Sequence, residues 1–188
     1  TMPHHVTILP FTRLNGGPMD YTPGIFVQDL ASVTDGKNTS WVNATIANQL
    51  ALYVTLYSPL QMAADLPEHY AKFMDAFQFI KDVDIDWIQS KYLLAEPGEY
   101  VVIARQGKKN GQWFCGGVTD DQKRTVEVPL QFLDPEKTYE ATIYRDADDA
   151  HYKENPQAYV IEKKTVTFHD FLPVTMAPGG GFAISFEE

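Results

Sequence analysis

One cysteine, Cys115, is all that 188 residues contain, so no disulfide can form within the chain and cysteine usage leaves the redox compartment open. Its setting, Trp113-Phe114-Cys115-Gly116-Gly117, is apolar and strand-like, which reads as a buried, inert thiol rather than a nucleophile. Positive charge is also scarce. Fifteen Lys and Arg against 25 Asp and Glu give a net charge of -10, which disfavours nucleic acid and other polyanions as partners. No apolar run approaches the roughly 18 residues that a membrane-spanning helix needs. Residues 1–20 lack the basic start and apolar centre of a signal peptide, so the leader of an exported precursor would lie upstream.

Signatures of chemistry are missing as well. His4 and His5 are neighbours, and neighbours on a strand point to opposite faces, so they do not readily share a metal. His69, His151 and His169 are scattered, with no HExxH spacing. Asp146, Asp148 and Asp149 resemble the start of a calcium loop, but His151 stands where its glycine is needed and Gln157 where its glutamate is needed. A solvated hairpin end is the expectation there, and a solvated edge for Asp82, Asp84 and Asp86. Gly179-Gly180-Gly181 precedes a strand instead of joining a strand to a helix, so it is a tight turn or bulge and not a phosphate loop. Asn38-Thr39-Ser40 and Asn43-Ala44-Thr45 fit the glycosylation pattern weakly, the second inside an expected helix. There is no Gly-x-Ser-x-Gly elbow, and no strand end presents the two carboxylates that glycosyl transfer requires. No catalytic residue and no metal ligand is therefore assigned.

Pattern and punctuation are plentiful by contrast. With 44% hydrophobic and 13% aromatic residues, the chain can fill a packed core. A strand-like run, Val6 to Leu9, leads into a loop to Gly24 in which Pro10, Pro18 and Pro23 fix the backbone and Gly16 and Gly17 free it, with Arg13 and Asp20 among them. Such a loop holds either a ligand or a neighbouring element. Apolar residues at helical spacing predict a helix over 41–57, apolar around almost its whole circumference, which calls for cover on most sides, some of it from outside this chain. Asp65-Leu66-Pro67-Glu68 predicts the next helix start, Asp65 capping and Glu68 reaching back, with Tyr70, Phe73, Met74, Phe77 and Ile80 on one core-facing side. After Glu96-Pro97-Gly98 the period changes to two. Strands are expected over 99–105, 112–119, 124–132, 138–145, 158–163, 165–168, 174–177 and 182–186, an antiparallel β-sandwich.

His4-His5-Val6-Thr7, Leu9-Pro10-Phe11-Thr12-Arg13 and Gly17-Pro18-Met19-Asp20-Tyr21-Thr22-Pro23-Gly24 together resemble the last segment of the catalytic barrel in glycoside hydrolase family 97. Gln49 to Val54, Tyr57 to Asp65, Phe77 to Lys81, Gly98 to Arg105, Trp113-Phe114 and Gly179 to Phe182 agree in order and spacing, so the resemblance covers nearly the whole chain. It implies a large bacterial α-glycosidase, periplasmic and calcium-dependent, with an N-terminal β-sandwich, a (β/α)8 barrel and a C-terminal β-sandwich. On that basis the fold class is α+β. Residues 1–95 would be a remnant of the barrel, its last strand and helices, and residues 96–188 the sandwich. The family's catalytic and calcium-binding glutamates have no counterpart here. Barrel active sites lie beyond the C-terminal ends of the strands, which makes Phe11, Arg13 and Asp20 the substrate-cleft candidates; an Arg13–Asp20 pair that only fixes the loop is the alternative. The implied partners are the rest of the barrel and, through it, a carbohydrate. A free-standing carbohydrate-binding sandwich is the competing reading, with Trp113, Tyr144, Tyr152 and Tyr159 as its aromatic surface.

Overall fold

The second half of the chain folds into two antiparallel sheets in the computed structural model, which describes residues 1–188. The strands are β1 (Trp87–Glu96), β2 (Tyr100–Gly107), β3 (Trp113–Thr119), β4 (Arg124–Pro129), β5 (Thr138–Asp146), β6 (Tyr159–Thr167), β7 (Phe171–Met176) and β8 (Gly181–Glu187). Six of them form one sheet in the order β1-β2-β3-β8-β5-β6, and β4 pairs with β7 in a second, smaller sheet. The sheet starts at Trp87, nine residues before the change of period at Glu96, because β1 is exposed over Ile88–Tyr92 and shows no clean alternation.

Both faces of the larger sheet are covered. On one, Val102, Cys115, Ile143 and Ile184 meet Val126, Val128, Leu172 and Val174 of the smaller sheet. On the other, Phe114, Tyr144 and Ala183 meet a helical layer made of α2 (Ile46–Thr55) and α4 (Met74–Asp82). Every residue of β3 is accordingly buried. Glycine permits the close approach of the layers: a Cβ on Gly116 would stand 2.8 Å from the Ala51 carbonyl oxygen and 2.9 Å from Val54 Cβ, so α2 lies directly on the sheet.

The first half departs from expectation in three places. The strand foreseen at Val6–Leu9 is instead the end of a short helix, α1 (Pro3–Ile8), followed by a 3-10 turn over Leu9–Phe11. A strand needs a paired neighbour, and none runs beside this segment. Pro3 suits a first helical turn, and the Thr7 hydroxyl donates to the His4 carbonyl. The helix expected over 41–57 shortens to α2, since the Thr45 side chain accepts from the Asn48 amide as its cap, while Trp41 pairs with Asp29 in an isolated bridge. All ten residues of α2 are buried, and the cover comes from within the chain: the sheet beneath, α1 and α4 beside it, and the loops around Phe26 and Ser58. The third departure is the helix foreseen from Asp65. It splits into α3 (Pro67–Tyr70) and α4, and Leu66, not Asp65, occupies the cap position.

Candidate functional site

The constrained loop between Leu9 and Gly24 is held by its neighbours at many points. Its far end is gripped by side chains from α2, from α3 and from the segment just before α3. Gln49 accepts from the amides of Gly24 and Ile25 (3.0 Å each), Tyr53 donates to the Pro23 carbonyl, and Tyr70 donates to the Gly24 carbonyl. Asp65 continues the grip. One carboxylate oxygen accepts from Phe26 and Val27, the other from the Leu66 amide and from the His69 ring at 2.5 Å. Burial alone would push this carboxyl up, but the His69 ring and the Leu66, Val27 and Phe26 amides outweigh it and hold the group below its ordinary value. A Cβ on Gly24 would collide with the Tyr53 hydroxyl, and Gly24 sits at φ 94°, so only glycine fits there.

Asp65 and His69 resemble an acid–base pair, yet no Ser, Cys or Lys is hydrogen-bonded to the imidazole, and every oxygen of Asp65 is spent on backbone and ring donors. The pair is a clamp. Cys115 is fully buried, which pushes its thiol far above the ordinary range and keeps it protonated. No three His, Cys, Asp or Glu side chains converge on a point that could hold a metal ion.

Phe11, Arg13 and Asp20 are all brought to the surface side of this loop, but not to one another. Phe11 packs its ring against Tyr92 of β1, centroids 5.6 Å apart. The exposed Arg13 guanidinium donates to the carbonyls of Gly17 and Pro18 at 3.4 Å each, and no ion pair forms with Asp20. Arg13 thus fixes the loop through carbonyls rather than through a carboxylate. The aromatic surface proposed for a sugar-binding module is absent: Trp113, Tyr144 and Tyr152 are buried, and the half-buried Tyr159 donates to Asp75 at 2.6 Å.

Asp148 and Asp149 are exposed, as expected of a solvated hairpin end, but Asp146 departs from that expectation. It is 2% exposed, with one oxygen accepting from Ala177 and Gly181 at 2.8 Å each and the other without a hydrogen-bond partner. Burial pushes its carboxyl up to about 7, against the opposing pull of the nearby Thr45 hydroxyl, the two amides and the Arg145 charge. Gly179, Gly180 and Gly181 form the turn that admits it, since a Cβ on Gly180 would strike the carboxylate itself. Nothing in the spacing of Asp146 marks this burial; it depends on a turn 33 residues away in the chain.

Residues 86–187 match the family described as glycosyl-hydrolase 97 C-terminal, oligomerisation. A retaining alpha-galactosidase from Bacteroides thetaiotaomicron is 35% identical over 185 residues, covering 96% of this chain but 27% of that enzyme. A probable retaining alpha-galactosidase from Streptomyces bingchenggensis is 33% identical, covering 95% of this chain and 25% of its own length. A glycoside hydrolase family 97 enzyme from Pseudoalteromonas sp. strain K8, solved in complex with acarbose, superposes with a TM-score of 0.93 at 48% identity; all of this chain covers 29% of that one. A beta-arabinopyranosidase shares the fold at a TM-score of 0.80 and 20% identity.

Proposed function

Because the chain belongs to the glycosyl-hydrolase 97 C-terminal family, we propose that it is the C-terminal part of an α-glycosidase that hydrolyses α-linked glucosides or galactosides. In this reading it supports a catalytic barrel built mostly from other polypeptide. The observation that carries it is the lopsided coverage: nearly all of this chain aligns, over no more than 29% of enzymes that are complete glycosidases. The clamp of Gln49, Tyr53, Asp65 and Tyr70 then has a purpose. It fixes the Leu9–Gly24 loop, and with it the side on which the barrel would rest, at residues 1–95 rather than on the sandwich.

Calcium and a periplasmic setting belong to the same proposal. The carboxylates present do not fit the ion. Asp146 is turned inward and Asp148 outward, Asp84 is committed to the amides of Ile85, Asp86 and Lys109, and Asp86 pairs with Lys108. We therefore place calcium outside this chain. No helix is long and apolar enough to cross a membrane.

The test is to assay p-nitrophenyl α-glucoside and p-nitrophenyl α-galactoside with this polypeptide and with the longer enzyme that carries it. Turnover is expected from the longer enzyme alone; clear turnover by the 188-residue chain would overturn the assignment.

A further inference from the structure

The start of α2 is tied to the sandwich at the glycine turn 179–181, and a buried acid sits against that turn. The Gly179 carbonyl accepts from the Thr45 amide and the Gly180 carbonyl from the Asn48 side chain at 3.1 Å, which binds the cap and first turn of α2. The same Gly180 carbonyl accepts from the Thr119 amide, and the Gly179 amide donates to the Asp120 carbonyl, which binds the end of β3. Asp146, the last residue of β5, closes the junction by accepting from the Ala177 and Gly181 amides at its two ends. Its second oxygen has no hydrogen-bond partner, with the Thr45 hydroxyl nearby. No charge is paired with it. Arg145, its neighbour in β5, acts on it, but that guanidinium donates to Glu162 and to the Asp146 carbonyl. Neither α2 nor the turn carries a charge. Asp120, at the end of β3, is turned to Arg124 and the Gln122 amide, and His151 and Lys153 lie against the Tyr152 ring.

We propose that Asp146 and the glycine turn form a proton-operated latch: with a proton on the unpartnered oxygen the turn holds the start of α2 against the sandwich, and loss of that proton loosens it. The acid form fits the site. One oxygen accepts the two amides while the other carries the proton, so no charge is buried. The ionised form leaves an unpaired charge in the same closed space, and opening the turn returns that charge to water. The closed latch keeps its proton up to about pH 7, whereas an opened one, with Asp146 in water, keeps it only up to the ordinary carboxylate range near 4. Opening therefore releases a proton between those values. The open fraction rises with pH there, by up to about ten-fold per unit, and levels off above about pH 7.

Amide hydrogen exchange on the 188-residue chain, followed by NMR and corrected for the intrinsic pH dependence of exchange, tests the latch. Protection of the Thr45, Ala177, Gly179 and Gly181 amides is expected to fall as pH rises from about 5 to about 7 and then to level off. Cys115 and Ile184, paired in the middle of the larger sheet, should change less, because the opening is local. Asp146→Asn keeps an acceptor for the two amides and sets an NH2 where the proton sat, so its latch should stay closed at every pH. The carbon-13 resonance of the Asp146 carboxyl in the unaltered chain follows the proton directly, whether or not the variant folds. The proposal is overturned if that resonance titrates in the ordinary carboxylate range, or if the four amides keep constant protection. It is equally overturned if Cys115 and Ile184 lose protection in step with them, or if the pH dependence survives in Asp146→Asn.

Discussion

Two buried aspartates show how the same side chain takes opposite roles. Asp65 is held charged by four donors, so its contribution to stability is complete above the ordinary carboxylate range and is lost as pH falls through its lowered value. Asp65→Asn keeps the shape but turns one acceptor into a donor facing an N–H or the His69 ring; a loss of about 1–3 kcal/mol in urea unfolding is the expected result. Asp146 works the other way. Its folded value of about 7 lies above the ordinary one near 4, so the folded state binds its proton more tightly than the unfolded chain does. That advantage is full below the unfolded value and is lost as pH rises through the folded one, with a slope of at most about 1.4 kcal/mol per unit. Asp146→Asn retains an acceptor for the Ala177 and Gly181 amides, and unfolding curves between about pH 5 and about pH 8 should flatten in that variant. An unchanged pH slope would show that Asp146 does not hold the proton.

Among the elements, α2 was legible as a helix because apolar residues recur around its circumference, and the sandwich strands were legible because their period is two. What was not legible was how far each element runs. The Thr45 cap and the Trp41–Asp29 bridge, both tertiary in origin, set the start of α2. Strand β1 escaped because an outer strand, with solvent beside it, has little reason to alternate. The glycines of β3 were visible, but not their use. Gly116→Ala should force α2 off the sheet, since the new methyl meets Ala51 backbone and Val54 Cβ; a loss of about 1–3 kcal/mol by chemical unfolding is expected, with little change in secondary structure by circular dichroism.

For the whole molecule, burial of the aromatics decides between a supporting domain and a sugar-binding module. Trp113 and Tyr144 spend their rings on the two cores and the buried Tyr152 stacks on His151, so these rings offer no platform to a pyranose, and calorimetric titration with maltooligosaccharides should show no saturable heat. A saturable isotherm would restore the module reading. The sequence by itself determined the sandwich and the family, because hydrophobic period, turn residues and motif order are properties of the chain read in order. It also singled out Leu9–Gly24 as a constrained loop. Only the tertiary structure decided that Val6–Leu9 coils instead of pairing, that Arg13 binds carbonyls and not Asp20, and that Asp146 is buried. Each of those outcomes depends on a neighbour distant in sequence, and such neighbours are chosen by packing.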